Sequence, residues 1–420
     1  MLPTKLLPAL DTLIAFLVVL VSGNPAILNW YPRAVFIGLL FLLVCMAVVR
    51  GVHKIKVADA ALVAAFAAIT LLHLMAFSTA VMSASAGFWV HFLIALFAVR
   101  VVEQFHLRYT KIIYLLAVIS LCFYGTQHLL ELVGIDLRAA LSGFTLLSDG
   151  RVHIGLHNFH LAEEAHRNSG LFWEPGAFAG YLVLGLVLLA GYKHEYAKRM
   201  YRRVLLVLVL ATVTTLSVAG LLLLPLVLAM HFVPAFRQMT AALRTLSVTV
   251  TLGLGVAISA AILWTQPIVS EKVVHQLEST MLGTQGAELT RFGSIVYDLE
   301  FIRSRPIAGW SPHPVARAAL DPYSSEIATG QGNGLTGFIV KFGLLGLLLF
   351  TLSIYSTFSR LFASSKIRPL FATLLILAML NGEAFLNYPL LMTLMFTPKR
   401  KHTRNLRSPS FGQAEVPLRA

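Results

Sequence analysis

The chain has 420 residues, of which 57% are hydrophobic and only 12% charged, with a formal net charge of +14. Soluble domains carry about a quarter charged residues. The figures therefore exclude an ordinary soluble protein and predict an all-α, polytopic protein of the lipid bilayer. The positive charge does not indicate nucleic acid, because its distribution, traced below, is that of loops between spans.

In chain order, apolar stretches able to cross a ~30 Å hydrocarbon core predict about twelve transmembrane helices. They lie at 10–30, 34–49, 57–77, 80–102, 112–133, 175–191, 204–218, 219–234, 246–266, 334–357, 369–381 and 384–397, the last two being short enough to form a hairpin or one broken, tilted helix instead. The first is read as a retained helix, since no small-residue cleavage site ends it. Lys and Arg cluster in short loops between spans: Arg50 and Lys56, Arg100 and Arg108, Lys193 to Arg203, Arg237 and Arg244, and Arg360 to Arg368. Basic loops face the cytoplasm, so Lys5 and the tail from Lys399 to Arg407 place both termini there. The expected layout is N-terminal helices 1–133, a first external loop 134–174 and central helices 175–266. A long external loop 267–333, C-terminal helices 334–398 and a basic cytoplasmic tail 399–420 complete it. Cys45 and Cys122 fall inside spans and imply no disulfide framework.

The first external loop ends in Arg167-Asn-Ser-Gly-Leu-Phe-Trp-Glu174-Pro-Gly-Ala-Phe-Ala-Gly-Tyr181. Ionisable groups at the mouth of a span are costly there and mark a functional site. Arg167 is a permanent cation able to grip phosphate oxygens with both arms of its fork. Pro175 suits the first turn of the following helix, whose N-terminus attracts an anion. Glu174 fits either a base or a helix cap paired with Arg167. The same loop carries His153, His157, His160 and His166 beside Glu163 and Glu164. Their spacing is one zinc uses, but Gly155 and Asn158 weaken a helix, and no metal site is expected. His73, His91, His128 and His231 lie within spans and read as packed.

In the second external loop, apolar residues at 292, 295, 296, 299 and 302 have helical spacing. They predict an amphipathic helix, ending at Pro306, along the membrane surface. Arg291, Asp298 and Arg305 recur every seven residues and are expected to share one face. That row suits a diphosphate; for Arg291, Arg303 and Arg305 the alternative is snorkelling to lipid phosphates or a plain surface face.

The segment Arg167 to Gly176 resembles the Arg-x-x-Gly-x-Phe-x-Glu-Pro-Gly words of the integral-membrane O-antigen polymerases (Wzy type) and O-antigen ligases. Weaker words follow in the family's order. They are Thr214-Thr-Leu-Ser217-Val-Ala-Gly220, Pro306-Ile-Ala-Gly309 after the amphipathic helix, Asn333-Gly334 with Gly343-Leu-Leu-Gly346, and Glu383-Ala-Phe-Leu-Asn-Tyr388-Pro389. Together they cover roughly 165 to 395, while the first 130 residues show only generic spans. The resemblance implies a GT-C-like fold in the bacterial inner membrane. It also implies a glycosyltransferase that joins oligosaccharide repeat units carried on undecaprenyl diphosphate at the periplasmic face. The product would be O-antigen, capsule or exopolysaccharide, made without cofactor or metal, with a chain-length regulator as a further partner. Arg167 and Arg291 would stabilise the leaving diphosphate, with Glu174 as first and Asp298 as second base. Trp173, Arg303, Arg305, His313 and Asn333 would bind substrate. Ligases carry a histidine just ahead of the span after the long loop. Here that place reads Thr329-Gly-Gln-Gly-Asn333, with His313 twenty residues earlier, which favours polymerase. Ligase and transporter or flippase are the alternatives, the last drawing on Lys341 and Glu383 within apolar surroundings. No P-loop, nucleophile elbow or dinucleotide fingerprint is present, which argues against ATP-driven transport.

Overall fold

The computed structural model describes residues 7–30, 32–52, 55–77, 81–145, 151–159, 166–232, 253, 257, 291–317 and 333–398. The expected span at 246–266, except for residues 253 and 257, and the basic tail lie outside the described residues.

Most of the helices coincide with the apolar runs of the sequence. The helices are α1 Leu7–Val21, α2 Pro25–Trp30, α3 Pro32–Val49, α4 Val57–Phe77, α5 Met82–Val101, α6 Phe105–Glu131, α7 Leu137–Leu141 and α8 Pro175–Gly191. After them come α9 Lys198–Thr214, α10 Val218–Phe232, α11 Arg291–Ser304, α12 Gly334–Leu361, α13 Ile367–Leu380 and the single turn α14 Pro389–Met392. Among the described residues the strands β1 Val152–His153 and β2 Asn158–Phe159 form one short antiparallel hairpin. The fold is all-α. By length and composition α3, α4, α5, α6 and α12 are able to cross a membrane, and α1, α8, α10 and α13 are shorter apolar helices.

Two expected spans take another form. The run 10–30 breaks after Val21, because the Asn24 side chain accepts from the amides of Ala26 (3.0 Å) and Ile27 (3.3 Å) and so starts α2 afresh. The run 384–397 is no continuous helix but a chain of single turns. Irregular backbone at membrane depth is tolerated only where protein surrounds it. Leu390, Leu391, Leu394 and Phe396 are accordingly at most 1% exposed.

The bundle is organised around α8, whose residues are all buried except Gly176. A helix apolar on every side belongs in an interior, and α6, α9, α10 and α13 surround it. The outer helices show the reverse pattern. Phe41 (70% exposed), Met75 (84%) and Leu352 (56%) project outward, as contact with hydrocarbon requires.

The two ends of the bundle differ chemically. At one, Asp11 pairs with Arg50 (2.5 Å) and Arg108 (3.3 Å), and buried Arg100 pairs with Asp59. Thr397 there accepts hydrogen bonds from Lys56, Arg100 and Arg360. The opposite end carries the hairpin, the segment 166–174, α11 and the turn 381–388.

A backbone splice joins α11 to α12. The helix α12 is interrupted at Gly343, whose φ of 67° is open to glycine and strained for other residues. Into this break runs the segment after Pro306. The amides of Leu344 and Leu345 donate to the carbonyls of Pro306 (2.7 Å) and Ile307 (3.1 Å), and those of Trp310 and Ser311 donate to Val340 (2.8 Å) and Lys341 (3.0 Å). Gly309 and Gly343 meet backbone to backbone, so two glycine turns that lie far apart in sequence are in contact.

Candidate functional site

The loop end gathers most of the polar residues singled out above. Its floor is the N-terminus of α8, where Glu174 takes the cap position with extended backbone while its side chain makes no capping bond. Glu174 thus occupies the N-cap position that the sequence allowed, without a side-chain capping bond. The preceding segment 167–173 is held from three sides. Gly170 adopts φ 53° against the Phe178 ring, where a Cβ would stand 2.8 Å from the nearest carbon. From the hairpin, the Asn158 amide donates to the Gly170 carbonyl (2.7 Å), and Asn158 Nδ2 donates to the Phe172 carbonyl (3.2 Å). From the turn between α9 and α10, the Thr214 carbonyl accepts from the Asn168 amide (3.0 Å) and the Thr215 carbonyl accepts from Arg167 Nε (3.3 Å).

Arg167, Trp173 and Glu174 are half-buried at this rim. Arg151 adds a second cation that sequence reasoning missed: its guanidinium donates to the Trp173 carbonyl at 2.8 Å. The Trp173 ring packs 5.0 Å from that of Tyr388, and the carboxylates of Glu383 and Glu174 both act on Tyr388 electrostatically. The first loop and the last external turn thus share one rim. After α6, Asp136 caps α7, and the Ala139 amide holds its carboxyl below the usual carboxylate range.

A second polar group lies where α11 meets α12. Asp298 is fully buried and accepts from Thr336 Oγ1 at 2.5 Å. Asn333 caps α12, its Oδ1 accepting from the amides of Leu335 and Thr336 (3.0 Å each) and its Nδ2 donating to Asn381 (3.2 Å). Lys341 donates to Asn387 Oδ1 at 2.9 Å. Asn333, Lys341 and Asn387, with His91, line a cleft of about 270 Å³. The turn 381–388 connects both groups, since the Gly334 backbone lies against the Glu383 carbonyl, where a Cβ would come within 2.0 Å of its oxygen.

Other expected site residues behave differently. The helix α11 turns Ser294, Asp298 and Phe301 inward and leaves Leu299 41% exposed. Glu300 and Arg303 are exposed as well, and Ile295 and Ile302 are half-buried, so polar and apolar groups stand on both sides of the helix. Asp298 and Arg305 therefore do not share a face: the helix ends at Ser304 ahead of Pro306, and exposed Arg305 stacks over Phe77 (4.5 Å) and Trp310 (4.8 Å). Arg303 is exposed. His313 sits in the turn after Trp310, its amide donating to Ser311 Oγ at 3.2 Å. Arg291 opens α11, and its side chain lies outside the described residues. The histidine group divides as well. His153 and His157 are buried in the hairpin, whereas His166 is exposed and stacks on His128. His160, Glu163 and Glu164 lie outside the described residues.

No protein-family model matches the chain. No curated protein matches it either.

Proposed function

We propose that the chain is a membrane glycosyltransferase that polymerises oligosaccharide repeat units carried on undecaprenyl diphosphate. The growing chain leaves its lipid diphosphate and passes to a hydroxyl of the next lipid-linked unit, at the periplasmic face of the bacterial inner membrane. The observation that carries this reading is the meeting, at one end of the bundle, of Arg167, Glu174, the 214–217 turn and the 381–388 turn. Those are the segments through which the sequence resembles the Wzy-type polymerases. With the cation-rich end taken as cytoplasmic, this rim faces the periplasm.

The reaction is substitution at an anomeric carbon through an oxocarbenium-like transition state, with a diphosphate leaving. The protein's main task is to stabilise the negative charge that develops there. Arg167 and Arg151, above the N-terminus of α8, offer two cations and a helix dipole to that charge. Glu174, half-buried and making no side-chain capping bond, is placed to take the acceptor's proton. Asp298 has no exposed surface, so its fitting role is to hold the entrance of α12 rather than to meet substrate. A transporter reading would use the break at Gly343 beside Lys341. That break is filled by the backbone of 306–311, which argues against an open path.

The test replaces Arg167 by Lys and by Ala at unchanged membrane level and displays surface polysaccharide on a gel. Loss of the ladder with single repeat units retained is expected for both, because a lysine lacks the bidentate fork. A full ladder from Arg167→Ala would remove the reading, and loss of single repeats too would point to a ligase.

A further inference from the structure

We propose that His128, Glu131 and His166 form a binding site for a divalent metal of the zinc class, fastening the segment that leads into Arg167 onto the end of α6. One potential ligand atom from each residue lies within 4.8 Å of the other two. His128 Nδ1 and Glu131 Oε2 are already 2.9 Å apart. Ligands about 2.0–2.1 Å from a tetrahedral zinc stand roughly 3.3 Å from one another, so this pair needs only a small opening. The ring of His166 is stacked 5.7 Å from that of His128, at 12° between planes. Being exposed, His166 is able to swing the remaining distance.

Two of the three residues come from one helix face, and the third from the turn packed against it. Tyr124, His128 and Glu131 stand one turn apart on a single face of α6, the face turned to residue 166. The Tyr124 hydroxyl donates to the His166 carbonyl (3.0 Å), fixing the backbone of the third ligand. Gln127 Nε2 donates to Glu131 Oε1 (3.0 Å), leaving Oε2 for the shared point. Such outer partners orient metal ligands. Without metal His128 Nδ1 donates to Glu131 Oε2; a metal would take that proton's place, leaving the ring proton on Nε2, which has no hydrogen-bond partner among the described residues. Two imidazoles and one carboxylate select zinc-like ions over calcium or magnesium, which prefer oxygen sets. The site rests on these contacts and not on the proposed transferase activity.

The experiment uses full-length protein in detergent, stripped of metal, titrated with Co²⁺ by visible absorption and then displaced by Zn²⁺. One equivalent of Co²⁺ with tetrahedral bands, displaced by Zn²⁺, is expected. His166→Ala and Glu131→Gln should each weaken binding at least tenfold, whereas Arg167→Ala should leave it unchanged. His166 is exposed, so its variant keeps the fold and is the decisive one. Absence of a saturable band at one equivalent, or unaltered affinity in His166→Ala, would overturn the proposal. A site that survives in a protein lacking polymerase activity would still stand.

Discussion

Asp298 shows how a single side chain can look catalytic in sequence and structural in place. It sits at the entrance of α12 and accepts from Thr336 while wholly buried. Asp298→Ala would leave the Thr336 hydroxyl without its acceptor, at a cost of about 1–3 kcal/mol. Asp298→Asn keeps an acceptor and should cost less. Thermal unfolding in detergent is expected to rank wild type above Asn above Ala, with the polysaccharide ladder following the same order. A normally stable Asp298→Asn protein that makes no ladder at all would instead return Asp298 to the chemistry. The sequence singles out Arg167 and Glu174 by the cost of ionisable groups at a span mouth. It had no means of showing that Arg167 bonds a carbonyl at residue 215, or that Arg151 joins the rim, since both depend on how distant loops fold over α8.

Elements were read well where composition alone decides. The bounds 57–77 and 175–191 match α4 and α8, because a charge-rich loop or a proline ends each run sharply. They were read poorly where an apolar run has two physical solutions. The stretch 384–397 is as apolar as a span, yet it is buried deeply enough to be irregular. The α11 helix is expected along the membrane surface and does end before Pro306, but its exposed positions, Leu299 beside Glu300 and Arg303, do not separate into a polar and an apolar face. The break in α12 makes a sharp prediction. Gly343→Ala combines a positive φ with a Cβ that would stand 2.0 Å from the Ile307 carbonyl oxygen, so it should cost about 2 kcal/mol or more. Gly38→Ala, in the middle of α3 with open space around it, should be neutral or stabilise by about 0.5–1 kcal/mol. Melting temperatures of the two variants measured side by side separate local strain from any general effect of filling a glycine.

For the whole molecule, charge defines the two ends. Arg100 and Asp59 are both buried at the cationic end, where Arg100 also donates to the Thr397 carbonyl at 3.0 Å. Removing one partner of a buried pair strands the other, so Arg100→Leu should destabilise by about 3–5 kcal/mol and the double change with Asp59→Leu by less. Orientation is checked separately: a cysteine at Lys193 should react with an impermeant thiol reagent only after the membrane is opened, and one at Arg138 in intact cells. The reverse pattern would invert the assignment of the rim to the periplasm. The splice between 306–311 and 340–345 carries a mechanical consequence. Four backbone bonds weld α11 to both halves of α12, so α11 is unable to act as a free lid over the rim. Probes at Ser304 and Leu345 should keep one fixed separation with and without lipid-linked substrate, and any closing motion of the loop end must come from the hairpin side.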